Sequence, residues 1–522
     1  MLGLMATYYV WLHLNKPNKA LPPGPKPLPI VGNITNLTAQ ELWLRALQWA
    51  KSYGDVVYLH VFGQGLVFLN DYDTAVDLLE KRGAIYSDKP GLIMAGHLCA
   101  RASQVAFTRH GHKSRRQRRL MQHALAVNSI CAYQPLLEVE TQDLLKRLLR
   151  DPKDYVGNLR RYAGGLTLTT LYGYHASTND DKLLTLADEC VDILSNRIAS
   201  GGGIWPMDIF PLLQHLPDWS PGAGFKRKAA IWKTKVKEFI NNPFEFVKDH
   251  MRDGTAVPRF STTLLQELQE RCEKEIDSQH EVDICWTGNS MYSVSIDITM
   301  TTMLHYILAM VQHPEVLAKA QGDIDRVIGP GRLPTFSDRS SLPYIECVMS
   351  EVLQWGGVPV PLRLPHRLME DDVYNGMYIP KGSLVYGNVW NMVRNPTLFP
   401  DPDAFVPERY LAPADEATMR RRDPRNYVFG FGRRQCPGTD LIEQSLWIVM
   451  ASMVATLNIS KARDAAGCEV EPEVVFDNAV FCMPRPFRCD IRPRSEQVLC
   501  VVRQAADADA WMRGCVLVAL AG

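Results

Sequence analysis

Apolar residues recur at helical spacing along most of this chain, from about residue 41 to residue 327. Two segments within that span, residues 55–62 and 65–69, are rich in β-branched and aromatic residues and are joined by a Gly-Gln-Gly turn, which predicts a strand pair. Residues 365–390 again have strand and turn character, and the apolar run within residues 441–449 predicts a helix. The pattern therefore predicts a mainly α fold with a small β region.

The first fifteen residues are mostly apolar and are followed by Lys16 and Lys19. A membrane span needs about twenty residues, so residues 1–15 predict a short N-terminal membrane anchor. A cleaved signal peptide is the alternative, but the basic flank lies on the C-terminal side and no small-residue cleavage site follows. The positive-inside rule then places the body of the protein in the cytosol.

The rest of the chain divides into three predicted parts. Residues 16–35 are basic and proline-rich, which is typical of a stiff hinge. Residues 36–494 carry the helical and strand patterns, whereas residues 495–522 lack a clear pattern and predict a tail. A chain of 522 residues suggests about three domains by length alone, but the motifs of the central part are widely separated and point to one site, which favours a single domain.

Composition narrows the class of function. The chain has 57 basic and 57 acidic residues, so it has no overall charge that would attract nucleic acid. Its twelve cysteines show no paired spacing and no Cys-x-x-Cys motif, which indicates a reducing compartment rather than a disulfide framework. Small-molecule chemistry is the better expectation.

The most specific chemistry lies in residues 429–438, Phe-Gly-Phe-Gly-Arg-Arg-Gln-Cys-Pro-Gly. A cysteine in a glycine-rich loop just ahead of a helix can present a thiolate to a metal, because backbone N–H groups and the positive end of the helix stabilise the sulfur. The alternative is a buried structural cysteine in a turn. The long fixed order of residue types favours the metal ligand and makes Cys436 the candidate.

This segment resembles the cytochrome P450 signature Phe-x-x-Gly-x-Arg-x-Cys-x-Gly at every position, and the resemblance extends from about residue 22 to residue 494. It implies the P450 fold with a single haem-binding domain and haem b as the cofactor. Cys436 would ligate the iron, and Arg434 would pair with a haem propionate. A thiolate ligand favours cleavage of the O–O bond, so the implied chemistry is oxygen activation.

Residues 341–355 resemble the K helix of that family, in which a Glu-x-x-Arg pair bonds to an arginine of a later loop. Glu351 supplies the carboxylate and Arg409 supplies the later arginine, but Gln354 stands in place of the helix arginine. We expect the Glu351–Arg409 pair to survive as a two-member network. Breaking one member of a buried ionic network can cost roughly 3–5 kcal/mol, so haem retention depends on how the fold accommodates Gln354.

Four further haem contacts follow from the resemblance. The basic run after Ser114 resembles the C helix, with Arg118 as a propionate-binding residue and Ser114 where the family has tryptophan. His366 is a second propionate candidate, although a lone histidine there can equally be a satisfied core group. Phe429 and Gly438 are the remaining cofactor-binding residues of the cysteine loop.

Residues 289–314 resemble the I helix, which crosses the distal face of the haem. Asp297 and Thr299 match the family's acid and second threonine, and both are predicted catalytic residues that manage protons. Ile298 replaces the first threonine, and Thr299 is rotated about 100° from it around the helix. Ser295 is a further hydroxyl one turn back. The alternative for Asp297 is an interior acid or capping group.

The family's substrate-contact segments correspond here to residues 89–99, the helix around Ile296, residues 358–362 and residues 480–483, and these are mostly apolar. An apolar pocket implies a lipophilic substrate, such as a terpenoid or an aromatic polyketide.

Partners and location also follow from the resemblance. Residues 21–27 are similar to the hinge that orients microsomal members on the endoplasmic reticulum membrane, with the catalytic domain facing the cytosol. Residues 225–228 and 395–409 resemble fungal biosynthetic members. The basic clusters at residues 420–422 and 433–434 are predicted to steer NADPH-cytochrome P450 reductase, with a merely solvated loop as the alternative.

The sequence therefore predicts a haem-thiolate monooxygenase that inserts one oxygen atom from O2 into a lipophilic small molecule, in secondary metabolism or xenobiotic oxidation. A haem-thiolate isomerase, dehydratase or peroxide-using enzyme is an alternative that Ile298 favours. A degenerate haem-binding relic is another, motivated by Gln354, Ser114 and the tail.

Overall fold

The computed structural model describes residues 20–505, except residues 39, 126, 200–203, 272–277, 357–358 and 479. The predicted membrane anchor, residues 1–15, lies outside the described residues. Residues 496–505 are helical and bury Val498 and Val502. The predicted tail, residues 495–522, therefore begins with a helix, which two valines at helical spacing are too short a pattern to predict. The rest of that tail lies outside the described residues.

Among the described residues, eleven helices have at least eleven residues, and we number them in chain order. They are α1 Leu42–Tyr53, α2 His112–Leu125, α3 Val127–Arg150, α4 Tyr155–Tyr172, α5 Lys182–Asp192, α6 Gly224–Arg252, α7 Phe260–Arg271, α8 Ser278–Gln312, α9 Pro314–Val327, α10 Pro343–Trp355 and α11 Thr439–Thr456.

Shorter helical segments connect these elements. The α-helical ones are Tyr72–Ala75, Gly83–Tyr86, Pro206–Ile209, Val389–Met392, Glu416–Arg422 and Arg425–Val428. Three segments are π-helical: Val76–Lys81, Ile93–Leu98 and Ile193–Ile198. The 3₁₀ segments are Ile34–Asn36, Pro152–Asp154, Pro211–His215, Phe336–Ser341, Pro407–Tyr410 and Gly432–Arg434.

The strands form four small sheets in the described part of the chain. The strands are β1 Val56–Val61, β2 Gln64–Leu69, β3 His366–Arg367, β4 Asp372–Tyr374, β5 Met377–Ile379, β6 Leu384–Gly387, β7 Leu457–Arg463, β8 Glu469–Val470, β9 Phe476–Asn478, β10 Cys482–Pro484 and β11 Cys489–Pro493. The sheet orders are β1-β2-β6-β3, β11-β7-β8, β9-β10 and β4-β5. The predicted strand pair is β1 and β2, but Gln64 opens β2 opposite Val61 rather than lying in the turn.

Helix α8 runs through the centre of the fold. It is long and apolar enough to cross a membrane by composition, but most of it is buried in this protein, where it packs against α2, α4, α6, α10 and α11. Gly164 on α4 allows a close approach, since a Cβ there would collide with Leu184 and would lie 3.5 Å from Ile296 of α8. The predicted mainly α fold with a small β region is confirmed.

Strand pairing brings distant segments to the cavity wall described next. β6 pairs in parallel with β2 and antiparallel with β3, which places His366 opposite Val385. The backbone N–H of Arg363 donates to the carbonyl of Gly387 at 3.0 Å. The chain between α10 and β3 is thereby fixed against the largest sheet.

Candidate active site

A cavity of about 320 Å³ lies between α2, α4, α8, the start of α11 and the loop of residues 429–438. Most of its lining is apolar, which suits a lipophilic ligand. Cys436 forms part of the wall, together with the loop residues Phe429, Arg434 and Gly438. The cavity therefore contains the cysteine that the sequence singles out.

Local hydrogen bonds fix the backbone on both sides of Cys436. The Cys436 N–H donates to the carbonyl of Phe429 at 2.7 Å, so the loop closes on itself. The Thr439 hydroxyl donates to the carbonyl of Cys436 at 2.9 Å, at the point where α11 begins. Phe429 is buried in an apolar cluster beneath the sheet. The sulfur is therefore held on a rigid turn ahead of a helix N-terminus.

The loop needs glycine at positions 432 and 438 for different reasons. Gly432 has φ +51°, and a Cβ there would lie 2.6 Å from the carbonyl oxygen of Leu79, so a side chain does not fit. A Cβ on Gly438 would lie 3.9 Å from the Cys436 sulfur, which is ordinary contact with protein atoms. The missing side chain at Gly438 therefore leaves room on the cavity side rather than relieving a clash.

Opposing effects act on the Cys436 thiol. Burial raises its pKa, whereas a hydrogen bond from the Gly438 N–H and the positive charges of Arg363 and Arg118 lower it. The N-terminal end of α11 adds partial positive charge next to the loop. These groups favour an anionic sulfur once a metal cation is present.

Five basic side chains line the cavity: Lys89, Arg118, Arg363, His366 and Arg434. Arg118, His366 and Arg434 are predicted from the sequence, and the structure brings all three together. Burial, followed by the charge of Lys89, holds the pKa of His366 well below its usual value, so the positive charge of the cluster comes from the other members. Burial, followed by the charges of Arg434 and Arg363, holds the pKa of Lys89 well below its usual value.

Most of these basic groups also bond to carbonyl groups. Arg118 Nη2 donates to Gln435 at 2.9 Å, and Arg434 donates to Ser87 at 2.8 Å and to Thr108 at 2.9 Å. His366 Nδ1 lies 2.8 Å from the carbonyl of Tyr86, so Nδ1 carries the proton. Neutral carbonyls do not balance so much positive charge, and the cluster is built for an anionic ligand.

The sequence analysis singles out four positions on helix α8, and three of them face the cavity. Ser295, Ile298 and Thr299 line it, but Asp297 does not. Asp297 lies near Asp188 of α5 and Arg160 of α4. Burial, followed by the charge of Asp188, raises the pKa of Asp297 to about 7, although the charge of Arg160 lowers it in part. Asp297, which the sequence predicts to be catalytic, therefore does not lie on the cavity face of α8 and does not contact a ligand in the cavity directly.

Ser295 has a hydroxyl partner that the sequence does not reveal. Its Oγ lies 2.8 Å from Oγ1 of Thr167 on α4, and both residues line the cavity. Thr167 can also donate to the carbonyl of Ala163 at 3.0 Å. Helices α4 and α8 thus place a hydroxyl pair in the wall one turn before Ile298.

The predicted substrate-contact segments lie partly in the cavity wall. Lys89, Val360, Val480 and Phe481 line the cavity. Ile296 does not, because it packs against Gly164 of α4. The sequence analysis missed residues 104–107 and the π-helical segment Ile193–Ile198, which supplies Leu194 and Ser195 to the wall.

Comparison with known proteins decides the family. The family model described as Cytochrome P450 matches residues 22–480. The chain is 38% identical to the cytochrome P450 monooxygenase claT of Ampulloclitocybe clavipes, covering 94% of this chain and 95% of that protein. It is also 38% identical to claR of the same fungus, over 97% and 92%, and 36% identical to cytochrome P450 monooxygenase 176 of Postia placenta, over 93% and 92%.

This chain belongs to the cytochrome P450 family. It is a P450 monooxygenase with a haem-iron cofactor, and the predictions of family and enzyme class are confirmed. The cavity fits the cofactor, since it offers a cysteine sulfur to iron and a set of cations to two propionates. None of the ten cysteines in the described part of the chain forms a disulfide bond.

The P450 keeps the predicted Glu351–Arg409 pair despite Gln354. Arg409 Nε lies 2.9 Å from Glu351 Oε2, and both side chains are buried. Glu351 Oε1 also accepts from the Val406 N–H at 2.6 Å. Gln354 Nε2 donates to the carbonyls of Val393 at 2.8 Å and Pro402 at 3.1 Å. The neutral side chain of Gln354 therefore connects α10 by hydrogen bonds to the chain that leads to Arg409. This connection counts against the alternative of a degenerate haem-binding relic.

Gln354→Arg is expected to raise the melting temperature, by about 2 °C, and more at pH 8 than at pH 5.5. Burial raises the pKa of Glu351 to about 7, despite the Val406 N–H and Arg409. A raised carboxyl pKa means that the unfolding free energy falls as pH rises from about 4.5 toward 7. An added guanidinium stabilises ionised Glu351 and reduces this fall.

Thermal melts of the holoenzyme at the two pH values measure this effect. The matched control is Gln354→Met, which keeps the length but removes both donated hydrogen bonds and should lower the melting temperature at both pH values. A lower melting temperature for Gln354→Arg at pH 8 would show that the site has repacked around glutamine and leaves the new charge unpaired.

Proposed function

We propose that this P450 inserts one oxygen atom from O2 into a lipophilic small molecule, with haem b held through Cys436. The proposal rests on the position of Cys436 in the wall of an apolar cavity. The Gly438 N–H donates a hydrogen bond to its sulfur, and basic residues surround it. When bound there, haem iron supplies the activation of O2 that a thiolate ligand favours.

The basic groups and two loop residues hold the cofactor in this proposal. Arg118, His366 and Arg434 bind the propionates, and their carbonyl partners keep them in place when the ligand is absent. Phe429 closes the cysteine loop, and Gly438 leaves space beside the sulfur. Each residue thus has a separate task in binding or orientation.

Protons are managed by side chains of α8. Thr299 faces the cavity and presents a hydroxyl there. Asp297 faces α5, where its pKa of about 7 lets it exchange protons near neutral pH, in reach of Asp188. Asp188 is partly buried and pairs with Arg160 at 2.9 Å. Asp297 is accordingly a proton store and not a substrate contact.

The lining sets the substrate class as a lipophilic molecule with few polar groups, such as a terpenoid or an aromatic compound. Hydroxyls of Thr167, Ser295 and Thr299 line the cavity, and those of Thr167 and Ser295 are adjacent. Leu194, Val480 and Phe481 supply apolar surface elsewhere. A hydrocarbon skeleton with one or two oxygen atoms fits this distribution.

Electrons come from NADPH-cytochrome P450 reductase, which docks on the face that carries the cysteine loop. Arg433 is exposed, whereas Arg434 turns inward to the cavity. Burial, followed by the charges of Arg434, Arg433 and Arg115, lowers the pKa of His110, so all three arginines act on the same histidine. The exposed members, Arg115 and Arg433, form a basic patch that suits an acidic partner.

Exposed apolar side chains on another part of the surface support association with the endoplasmic reticulum membrane. Leu212 and Trp219 are each 84% exposed. Nearby, Phe210 contacts Phe62 at the tip of the β1–β2 hairpin, with ring centroids 4.9 Å apart. Phe62 bonds to Val31 of the predicted hinge. Vesicle flotation of Leu212→Ser should show weaker binding than the parent protein; equal binding would contradict this role.

An ¹⁸O₂ experiment tests the function directly. The holoenzyme, NADPH and a fungal NADPH-cytochrome P450 reductase are incubated with a panel of terpenoids and aromatic compounds. We expect one ¹⁸O atom in the product, and no product when the reductase is omitted. Ile298 favours a second candidate, a haem-thiolate isomerase, dehydratase or peroxide user. Turnover without reductase, or product without ¹⁸O, would favour it and contradict the monooxygenase proposal.

A further inference from the structure

Four charged side chains form a closed ring next to the cysteine loop. They are Arg339 of the 3₁₀ segment Phe336–Ser341, Glu346 of the first turn of α10, Arg425 of the short helix Arg425–Val428, and Glu443 of α11. Arg339 Nε donates to Glu346 Oε1 at 2.5 Å, and its Nη2 donates to Glu443 Oε1 at 2.6 Å. Arg425 Nη1 donates to Glu443 Oε1 at 3.2 Å and to Glu346 Oε2 at 3.4 Å. Each arginine therefore bonds to both carboxylates.

The ring spans the two ends of the cysteine loop. Arg425 begins the short helix that ends immediately before Phe429, the first residue of the loop. Glu443 lies in α11, which begins immediately after Gly438, the last residue of the loop. The contact between these two charged side chains thus joins the chain that enters the loop to the chain that leaves it. The other two members of the ring fasten both ends to α10 and to the segment that precedes it.

The loop depends on this attachment because the apolar core holds only its beginning. Phe429 and Phe431 are buried in an apolar cluster. Residues 432–444, which comprise the rest of the loop and the start of α11, are half-buried or exposed, and the buried part of α11 begins at Ser445. The hydrogen bond from the Cys436 N–H to the Phe429 carbonyl closes the loop. The ring holds the segment that follows the sulfur.

The ring is less accessible to water than an ordinary surface ion pair. Its four side chains are 22–28% exposed. Burial lowers the pKa of Arg425, but Asp423 and the two carboxylates of the ring raise it above its usual value. The Arg339 guanidinium also lies 5.6 Å from the centre of the buried Trp447 ring, a distance that favours a cation near an aromatic face. A partly desolvated network with several attractions per charge holds its geometry better than a single exposed pair.

We propose that this ring positions the Cys436 thiolate by fixing the distance between the two ends of its loop. Glu443 is the main positioning residue, since its Oε1 accepts from both arginines. The inference rests on the proposed haem site at Cys436. The ring is separate from the buried Glu351–Arg409 pair, because Glu346 supplies its α10 carboxylate. When the ring is broken, the ends of the loop move apart and the sulfur takes one proton from solvent, which gives a neutral thiol without any change of oxidation state.

Ligand conversion in the carbon monoxide complex of the reduced holoenzyme measures this role. Its rate is the rate at which the red-shifted Soret band of the thiolate is replaced by the band of a neutral ligand, followed well below the melting temperature. We expect Glu443→Gln, which keeps the shape of the side chain, to speed the conversion by about tenfold, because it weakens charge-assisted hydrogen bonds. Glu443→Asp keeps the charge and should give a rate between those of the parent and Glu443→Gln.

Arg494→Met is the matched control. Arg494, the residue after β11, forms an ion pair with Asp325 of α9 through two hydrogen bonds of 3.0 and 2.7 Å. Its loss should leave the conversion rate within about twofold of the parent rate. Far-UV circular dichroism is followed in parallel, and in Glu443→Gln the Soret band should convert while the helical signal keeps its starting value. Conversion that occurs only together with loss of the helical signal would show that the ring serves general stability, and would overturn the inference.

A double-mutant cycle tests whether the ring acts as one unit. Arg425→Met should also speed the conversion, and its combination with Glu443→Gln should give much less than the product of the two single effects, because both changes break the same contact. Independent effects, or conversion of Glu443→Gln at the parent rate, would overturn this inference while the proposed haem site stands. Absence of a thiolate spectrum in the parent would overturn the proposed function itself.

Discussion

Cys436→Ser is expected to abolish monooxygenase activity and the thiolate spectrum while leaving the fold intact. The loss should exceed the roughly 10- to 100-fold that removal of an outer-shell partner costs, because the proposed iron ligand itself is removed. The loop should still close, since its hydrogen bonds to Phe429 and Thr439 use the backbone of residue 436 and not the sulfur.

Haem content, visible spectrum and product formation are the measurements for this variant. Cys489→Ser is the matched control, because Cys489 is also partly buried but lies on β11, away from the cavity lining. It should keep the parent spectrum and activity. A parent-like spectrum in Cys436→Ser would mean that another cysteine ligates the iron, and the proposed site would be wrong.

Ile298→Thr is expected to give a severalfold rise in the ratio of product formed to NADPH consumed. Ile298 lines the cavity at the position where the family places a threonine that holds water for proton delivery. Without that hydroxyl, electrons from NADPH should be lost as peroxide, so the parent should consume more NADPH than it makes product. A threonine restores the water-holding group at that position.

Ile298→Val is the control for the change of volume, since valine has the shape of threonine without its hydroxyl. NADPH oxidation, peroxide and product are measured for all three proteins with the same reductase. Tight coupling in the parent, with no gain on substitution by threonine, would contradict this account. It would assign the role to Thr299 or to the Ser295–Thr167 hydroxyl pair.

The sequence predicts the cysteine loop because all of its determinants are consecutive. The spacing from Phe429 to Gly438 fixes a turn, and the apolar run that follows fixes α11. Arg118 and His366 follow from the resemblance to the family's C helix and to the segment after its K helix, and both line the cavity. The Glu351–Arg409 pair also follows from the resemblance, and the structure contains it.

Residues that depend on packing between distant elements are not predicted. Thr167 lies 2.8 Å from Ser295 because α4 packs against α8, and this packing leaves no pattern in either segment alone. Helical spacing places Asp297 on α8, but the rotation of that helix about its axis is set by the helices that pack against it. In this packing Asp297 lies near Asp188 of α5. Arg363 depends on pairing between β6 and the chain before β3. None of these relations leaves a local pattern.

A carbon monoxide difference spectrum of the reduced holoenzyme tests the central claim most directly, since it reports the axial ligand of the iron. The account predicts the strongly red-shifted Soret band that a cysteine thiolate gives, present in the parent and absent in Cys436→Ser. A Soret band at the position typical of haem proteins with a neutral histidine ligand would contradict the claim that Cys436 binds the iron as a thiolate.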